Sequence, residues 1–541
     1  VRVLFIENHD SFSWNVIDTL PVPRDAVHVV TAARAAPRLG EADAVVVGPG
    51  PMDPVRAGLV ELVREAARRK LPLLGVCLGH QALGLAFGAR LVRCTPAHGK
   101  QAHVTMEPSR SFPGLTGELA VMRYHSLALA DVEAPLRVVG RLPDGLPMAI
   151  EHATLPLAGV QFHPDSFATP RGRALVEAWF TSIGLPRDGA PRAAAEVPAS
   201  AARDVTPVTP LSLASLLQRE AFALLGPGFG EGDAWTLLDL AAPDADATLW
   251  YAAAESRTPM SLRGRATRHA LNFDVSPAEL APRLDERGFL EGVAAIREAI
   301  AAGDVYQVNL TLRAALGACS GAALLAALCR ARVPRFAAWV RAPGVGELVS
   351  ASPELLFARE GRRVRVEPMK GTAGAGQGAT LLASEKDRAE LAMITDLLRD
   401  DLQRICVPGS VRVVNARRLV ELPYAVQTVA DVEGTLPAEA GTAALLAQLH
   451  PGGSVTGAPR EAACATIARL EATPRGAYCG ALGLELGAQT RVALLIRTAE
   501  RTADGWRYGV GSGITWDSDA HAELDEVRLK LGALGAPAGR P

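Results

Sequence analysis

Runs of consecutive apolar residues alternate with helical stretches through the first third of the chain. VRVLFIE (1–7), DAVVVGPGP (43–51) and LPLLGVC (71–77) each read as a strand buried on both faces, followed by a turn or a helix. That alternation predicts a parallel sheet with flanking helices, an α/β domain over residues 1–183. From 184 to 210 the pattern lapses. GLPRDGAPRAAAEVPASAARDVTPVTP is rich in Pro and Ala, has neither period, and reads as a linker. From 211 to 541 the strands ELVSAS, RVRVEPM, RVALLIRTA and WRYGVGSGITW mix with amphipathic helices such as SEKDRAELAMITDLLRDDLQRI (384–405). This second part predicts an α+β domain.

Composition narrows the class. A chain of 541 residues is too long for one hydrophobic core. Its formal net charge of −2 argues against a general surface for nucleic acid. No run of eighteen apolar residues suggests a membrane span, and the strand-like opening does not resemble a secretion leader. The seven cysteines are scattered, without a CxxC pair, so neither a disulfide framework nor a zinc site is expected. A cytoplasmic location is the expectation. Lysine is scarce, at 70, 100, 370, 386 and 530, whereas arginine is abundant. A lysine retained in such a chain is a candidate for chemistry that a guanidinium cannot perform.

The first such chemistry is a thiol. In LPLLGVCLGHQALGLAFG a buried strand runs into Gly-x-Cys-x-Gly and then a helix, which predicts a nucleophile elbow at Cys77. The helix N-terminus favours a thiolate there. A lone cysteine is more often buried and inert, but the two glycines between strand and helix argue otherwise. LAGVQFHPDSF supplies a base, His163, with Asp165 two residues on to hold its tautomer. GPGP (48–51) offers a glycine-rich turn that could face an oxyanion.

GPGP, GVCLGHQ, YHSL and GVQFHP together resemble the class I glutamine amidotransferases that serve chorismate enzymes, and IENHDSFSWNV resembles their first strand and turn. The resemblance implies a triad of Cys77, His163 and Asp165, with oxyanion N–H groups from Gly50 and Leu78. It also implies that Gln81 and the stretch around Tyr124, His125, Ser126 and Leu127 hold glutamine. One departure is Asp165, where the family usually has Glu.

The second part carries four acidic or basic segments: Glu354 in SASPELLFA, Lys370 in RVEPMKGTA, Asp387 and Glu390 in DRAELAMITDLLRDDL, and Glu523 and Glu526 in AELDEVRLK. Each helical acidic pair stands one turn apart. Taken singly, such a pair is most often a solvated face; taken together, two pairs could hold a hard cation. This region, with GGSVTGAPR, YCGALG, IRTAE and GVGSGITWDSD in order, is similar to the chorismate-utilising enzymes, and the resemblance implies a catalytic core at about 286–537. The resemblance implies Mg²⁺ on Glu390 and Glu526, with Asp387 and Glu523 in its water shell. Tyr478, Arg497 and the N–H groups around Gly511 and Gly513 would hold the enolpyruvyl carboxylate, and Glu354 would act as general acid/base. Arg460 replaces the usual Lys, and Leu391 and Asp400 stand where Asn is usual.

Lys370 precedes Gly-Thr, as in the aminodeoxychorismate synthases, where anthranilate synthases usually have Ala. Thr456 points the same way. The implied chemistry is attack by the lysine amine at ring C2 with loss of the C4 hydroxyl, then addition of ammonia at C4. The expected activity is glutamine-dependent formation of 4-amino-4-deoxychorismate. Anthranilate synthase and 2-amino-2-deoxyisochorismate synthase are the alternatives. A separate pyridoxal-phosphate lyase is expected to act next, because little chain follows Lys530.

Overall fold

The computed structural model describes residues 1–185, 208–230, 233–242, 244–280, 282, 284–374, 376–421, 425–531 and 534. The first half is built on nine strands. Val27–Thr31, Val3–Glu7, Ala44–Val47, Leu73–Val76 and Leu157–Val160 lie side by side in that order and run parallel. Pro147–His152, Leu136–Arg141, Arg90–Met106 and Gly117–Ala130 extend the sheet antiparallel.

The apolar runs explain the parallel part. Val3 and Phe5 enter one core and Leu4 and Ile6 another, so alternate residues are buried on opposite faces of the same strand. Each large apolar side chain so buried contributes about 1.5–3 kcal/mol.

Among the described residues, the second half contains eighteen strands in two groups joined through the long strand Met260–Asn272. One group includes Gln307–Gly317 paired with Gly505–Ile514, and the other includes Met369–Gly374 paired with Ala425–Thr435. The strand Val208–Ser212 pairs with 268–272, so Val208–Pro210 belong to a strand and not to the expected linker. Residues 186–207 of that linker lie outside the described residues.

The helix Glu385–Ile405 is capped by Ser384, whose hydroxyl accepts from the Asp387 N–H at 3.2 Å. The sequence predicts an amphipathic helix, yet almost all of 389–403 is buried. The reason is position: one side packs under the second half, and the other meets the helix Ser13–Thr19 and the strand Arg90–Met106 of the first. Phe12, Met122 and Tyr124 share a single apolar cluster with Tyr306, Met393, Ile394 and Leu397. The two halves therefore meet through a common core. Among the described residues no helix is long and apolar enough to cross a membrane.

Candidate active sites

Cys77 sits between the strand Leu73–Val76 and the helix Leu78–Ala86 with φ of +52°. Such a conformation is costly for a residue bearing a β-carbon and is held only by its surroundings. The flanking glycines allow the turn by close approach. A β-carbon on Gly75 would lie 2.4 Å from the Gly79 backbone, and one on Gly79 would lie 2.2 Å from the Val47 carbonyl oxygen.

His163 is fully buried, its backbone N–H donating to Met122 O at 2.9 Å. Phe12 and Tyr124 meet its ring edge-on, at centroid distances of 5.4 and 4.9 Å. Asp165 Oδ1 lies 3.2 Å from His163 Nδ1. The pair is close but off line, so neither ring nitrogen makes a well-directed hydrogen bond. Burial opposes charge on this imidazole, but Asp165 and Cys77 outweigh it and raise its pKa well above the usual histidine value. The group is thus suited to take and hold the thiol proton. Gly50 lies against Leu78 and Asn8 beside the elbow.

The other predicted glutamine contacts have internal partners. Gln81 Nε2 donates to Leu127 O at 2.9 Å and to Gln161 Oε1 at 3.2 Å. Gln161 in turn donates to Cys77 Sγ at 3.5 Å. Ser126 Oγ donates to Ile300 O at 2.6 Å and pairs with His98 Nε2 at 2.9 Å, so its hydroxyl ties the halves together. Neither Gln161 nor His98 stood out in the sequence, although Gln161 lies within GVQFHP.

The second site is a small cavity of about 80 Å³ walled by Lys370, Glu354, Glu390, Asp387, Tyr478, Arg497, Gly511, Gly513 and Glu526. Lys370 projects from the strand Met369–Gly374. Its Nζ donates to Ser454 O at 3.2 Å and stands 4.0 Å from Glu390 Oε2. Burial lowers its pKa from the ordinary lysine value, against the opposing pull of Glu390. A β-carbon on Gly513 would lie 2.9 Å from Lys370 Nζ and 2.4 Å from Gln307 Nε2, so glycine there makes room for the amine.

Glu354 follows the strand Gly346–Ser352 and accepts from Ser454 Oγ at 2.7 Å. Burial pushes its pKa up to about 7, only partly offset by Ser454 and Lys370. A carboxyl poised near neutrality can both give and take a proton. Arg497 is buried with φ of +52°. Tyr478 lies under the Arg313 guanidinium, 4.9 Å from the ring centre.

Two expectations need correction. Thr456 does not face this cavity: its hydroxyl donates to Gly452 O at 2.9 Å and it lines a separate interface cavity. Ser454, two residues earlier on the short helical turn Gly453–Thr456, occupies the position beside Lys370 and Glu354. Glu523 also stands apart from the wall, its carboxylate taken up by Ser512, Ser518 and Lys386.

The donor set that remains fits a hard divalent ion. Glu390 and Glu526 face the same cavity, with Asp387 beside them. Burial raises the pKa of Glu390 to about 7, only partly offset by Lys370 and Lys386, so a cation bound there would favour its charged form. Among the described residues no three such side chains are close enough to form a complete metal cluster. The rest of a magnesium shell would come from substrate oxygens and water.

The helix Glu385–Ile405 reaches both sites. Six residues beyond Glu390, Asp396 accepts from Tyr124 Oη at 2.8 Å, from Ser166 Oγ and from the Phe167 N–H. Arg399 pairs with Asp396 at 2.6 Å and donates to the backbone carbonyl of Asp165 at 3.1 Å. Asp400 accepts from the Trp14 and Asn15 N–H groups that open the helix Ser13–Thr19. A carboxylate at position 400 therefore does work between the halves.

Residues 230–535 match the family model of the chorismate binding enzymes, and residues 4–183 match that of the class-I glutamine amidotransferases. An aminodeoxychorismate synthase of Streptomyces griseus is 30% identical, the alignment covering 99% of this chain and 95% of that protein. An anthranilate synthase component 1 of Haloarcula marismortui is 37% identical over 47% of this chain and 54% of its own length. In fold, the second half resembles the menaquinone-specific isochorismate synthase of Escherichia coli, with a TM-score of 0.51 at 20% identity over 63% of this chain and 96% of that one. The chain therefore belongs to the chorismate-binding enzymes, carries a class-I glutamine amidotransferase in front, and is a glutamine-dependent, chorismate-utilising enzyme.

Proposed function

We propose that the enzyme forms 4-amino-4-deoxychorismate and glutamate from chorismate and glutamine. The observation that carries this reading is Lys370: a buried amine with a lowered pKa, in the same cavity as Glu354 and Arg497. It is supported by full-length similarity to a protein named aminodeoxychorismate synthase.

In the first site Cys77 attacks the side-chain amide of glutamine. His163 takes the thiol proton and passes it to the departing nitrogen, and Asp165 steadies the imidazolium. Gly50 and Leu78 direct N–H groups at the oxyanion, and water then releases glutamate.

In the second site Arg497 and Tyr478, with the N–H groups around Gly511 and Gly513, bind the enolpyruvyl carboxylate. A guanidinium suits a planar two-oxygen group. The neutral amine of Lys370 bonds to ring C2 as the double bond shifts and the C4–O bond breaks. Glu354 gives its proton to the leaving hydroxyl, which departs as water. Ammonia then bonds to C4, the C2–N bond breaks, and Lys370 leaves as a neutral amine. The carboxylate of Glu354 takes back one proton from the new ammonium group. Magnesium held by Glu390 and Glu526, when bound, would neutralise the ring carboxylate of chorismate and ease loss of the C4 hydroxyl.

The aminated product retains its enolpyruvyl group, so a further lyase step is needed to form 4-aminobenzoate. The test is product identification from chorismate, glutamine and Mg²⁺. Formation of 4-amino-4-deoxychorismate, convertible to 4-aminobenzoate by an added pyridoxal-phosphate lyase, is expected. The blue fluorescence of anthranilate would instead favour the anthranilate synthase reading, and amination retained at C2 the 2-amino-2-deoxyisochorismate reading.

A further inference from the structure

A cavity of about 1000 Å³ runs between the two halves and is distinct from both sites described above. Glu7, His9, Asp10 and Ser11 wall it on one side, and Asp400, Asp401 and Glu461 are among the residues of the other. At its rim His9 and Glu461 are both exposed and 3.0 Å apart, so water reaches it. Its wall is highly charged, Asp400 and Asp401 being paired with Arg404 and Arg460, so ammonia that entered it would meet water and become protonated.

At the buried end of this cavity lies Asp10. Its Oδ2 accepts from the Phe12 N–H at 3.0 Å, and its Oδ1 accepts from Tyr306 Oη at 2.9 Å. Tyr306 is 3% exposed and takes no part in the cavity wall. Its ring is stacked on His98 at 4.8 Å and lies nearly parallel to Phe12 at 6.1 Å, and Phe12 meets His163 edge-on. A layer of rings thus stands between the wet cavity and the thiol site. The next residue, Gln307, begins a strand and sends its side chain to the other site, with Nε2 3.4 Å from Glu390 Oε2. The Tyr306 hydroxyl reaches Asp10 while the Gln307 amide reaches Glu390, so this dipeptide spans from the ring layer to the second site.

We propose that Tyr306, latched to Asp10, is a bulkhead that keeps ammonia passing from Cys77 to Lys370 out of the interface cavity. The inference rests on the two-site reading above. Ammonia is small and neutral, and any opening to water lets it diffuse away and take up a proton. An aromatic ring pinned at its hydroxyl closes such an opening without offering a charge that would hold ammonium.

The test measures glutamate and aminated product in the same reaction of the full chain with glutamine, chorismate and Mg²⁺. Wild type is expected to yield close to one product per glutamate. Tyr306→Ala is expected to keep forming glutamate while product per glutamate falls at least about threefold, because water is no longer excluded from the route. Turnover with ammonium chloride in place of glutamine should stay within about twofold of wild type, which shows that the variant is folded and the second site intact. If the alanine variant does not fold, Tyr306→Leu, which also lacks the ring and the hydroxyl, is read in the same way. A product-to-glutamate ratio unchanged in the folded variant overturns the bulkhead. Failure of wild type itself to aminate chorismate from glutamine overturns the underlying two-site reading instead.

Discussion

The hydroxyl of Tyr124 donates to the carboxylate of Asp396 across the boundary between the halves, at 2.8 Å. Tyr124 also offers its backbone carbonyl to Cys77 Sγ at 3.7 Å. Asp396 stands six residues after Glu390, about 9 Å further along the same helix. A shift of that helix on filling the Lys370 cavity would reach the thiol site directly. Asp396→Ala removes the acceptor for Tyr124, Ser166 and Phe167 and leaves Arg399 without its carboxylate. Losing buried charge-assisted bonds of this kind costs about 1.5–3 kcal/mol each, so glutamine-dependent turnover is expected to fall roughly 10- to 100-fold. Turnover with ammonium salts should change by less than about threefold. Equal loss with both nitrogen sources would mean that Asp396 serves only the fold.

Cys77→Ala removes the proposed nucleophile while leaving a small side chain in the elbow. Glutamine-dependent turnover is expected to fall at least about a thousandfold, since nucleophile and base act as a unit. Ammonium-dependent turnover should persist, because the Lys370 cavity contains no atom of Cys77. Steady-state rates with the two nitrogen sources check this, and parallel loss of both would contradict two separate sites.

Glu354 imposes a pH dependence on stability. Burial raises its pKa from 4.5 to about 7, so between those values the folded chain keeps a proton that the unfolded chain releases. Unfolding free energy from this group therefore declines as pH rises through that window. Above it the penalty is at most roughly 3 kcal/mol. Glu354→Gln stays neutral throughout and should unfold at a higher temperature than wild type at pH 8, with little difference at pH 4. Thermal melts at the two pH values are the check, and an equal difference at both would place the penalty elsewhere.

Much of this architecture was legible in the chain. Apolar runs such as AVVV at 44–47 and LLGV at 73–76 fit only strands buried on both faces, and Gly-Val-Cys-Leu-Gly fits a strained turn between strand and helix. Other features were hidden for physical reasons. Asp396 looks like any polar residue of an amphipathic helix until a second half is packed against that face. Ser454 and Thr456 are chemically alike in sequence, and only the turn at Gly453–Thr456 decides which hydroxyl meets Glu354. Glu523 shares the one-turn spacing of Glu526, but Ser512 and Ser518 come from a strand end and a loop that spacing cannot foresee. Lys530 could be paired with Glu526 from their spacing of four on one helix, whereas the ion pair of Lys386 with Glu523 emerges only from tertiary packing.

The proposed amination at C4 requires an amine at position 370 that can shed its proton. Lys370→Arg retains length and positive charge but cannot become neutral at working pH. The decisive measurement is mass-spectrometric quantitation of 4-amino-4-deoxychorismate made by this variant from chorismate, Mg²⁺ and saturating ammonium. Collapse of that product to background is predicted; its formation at the wild-type rate would contradict a covalent role for Lys370.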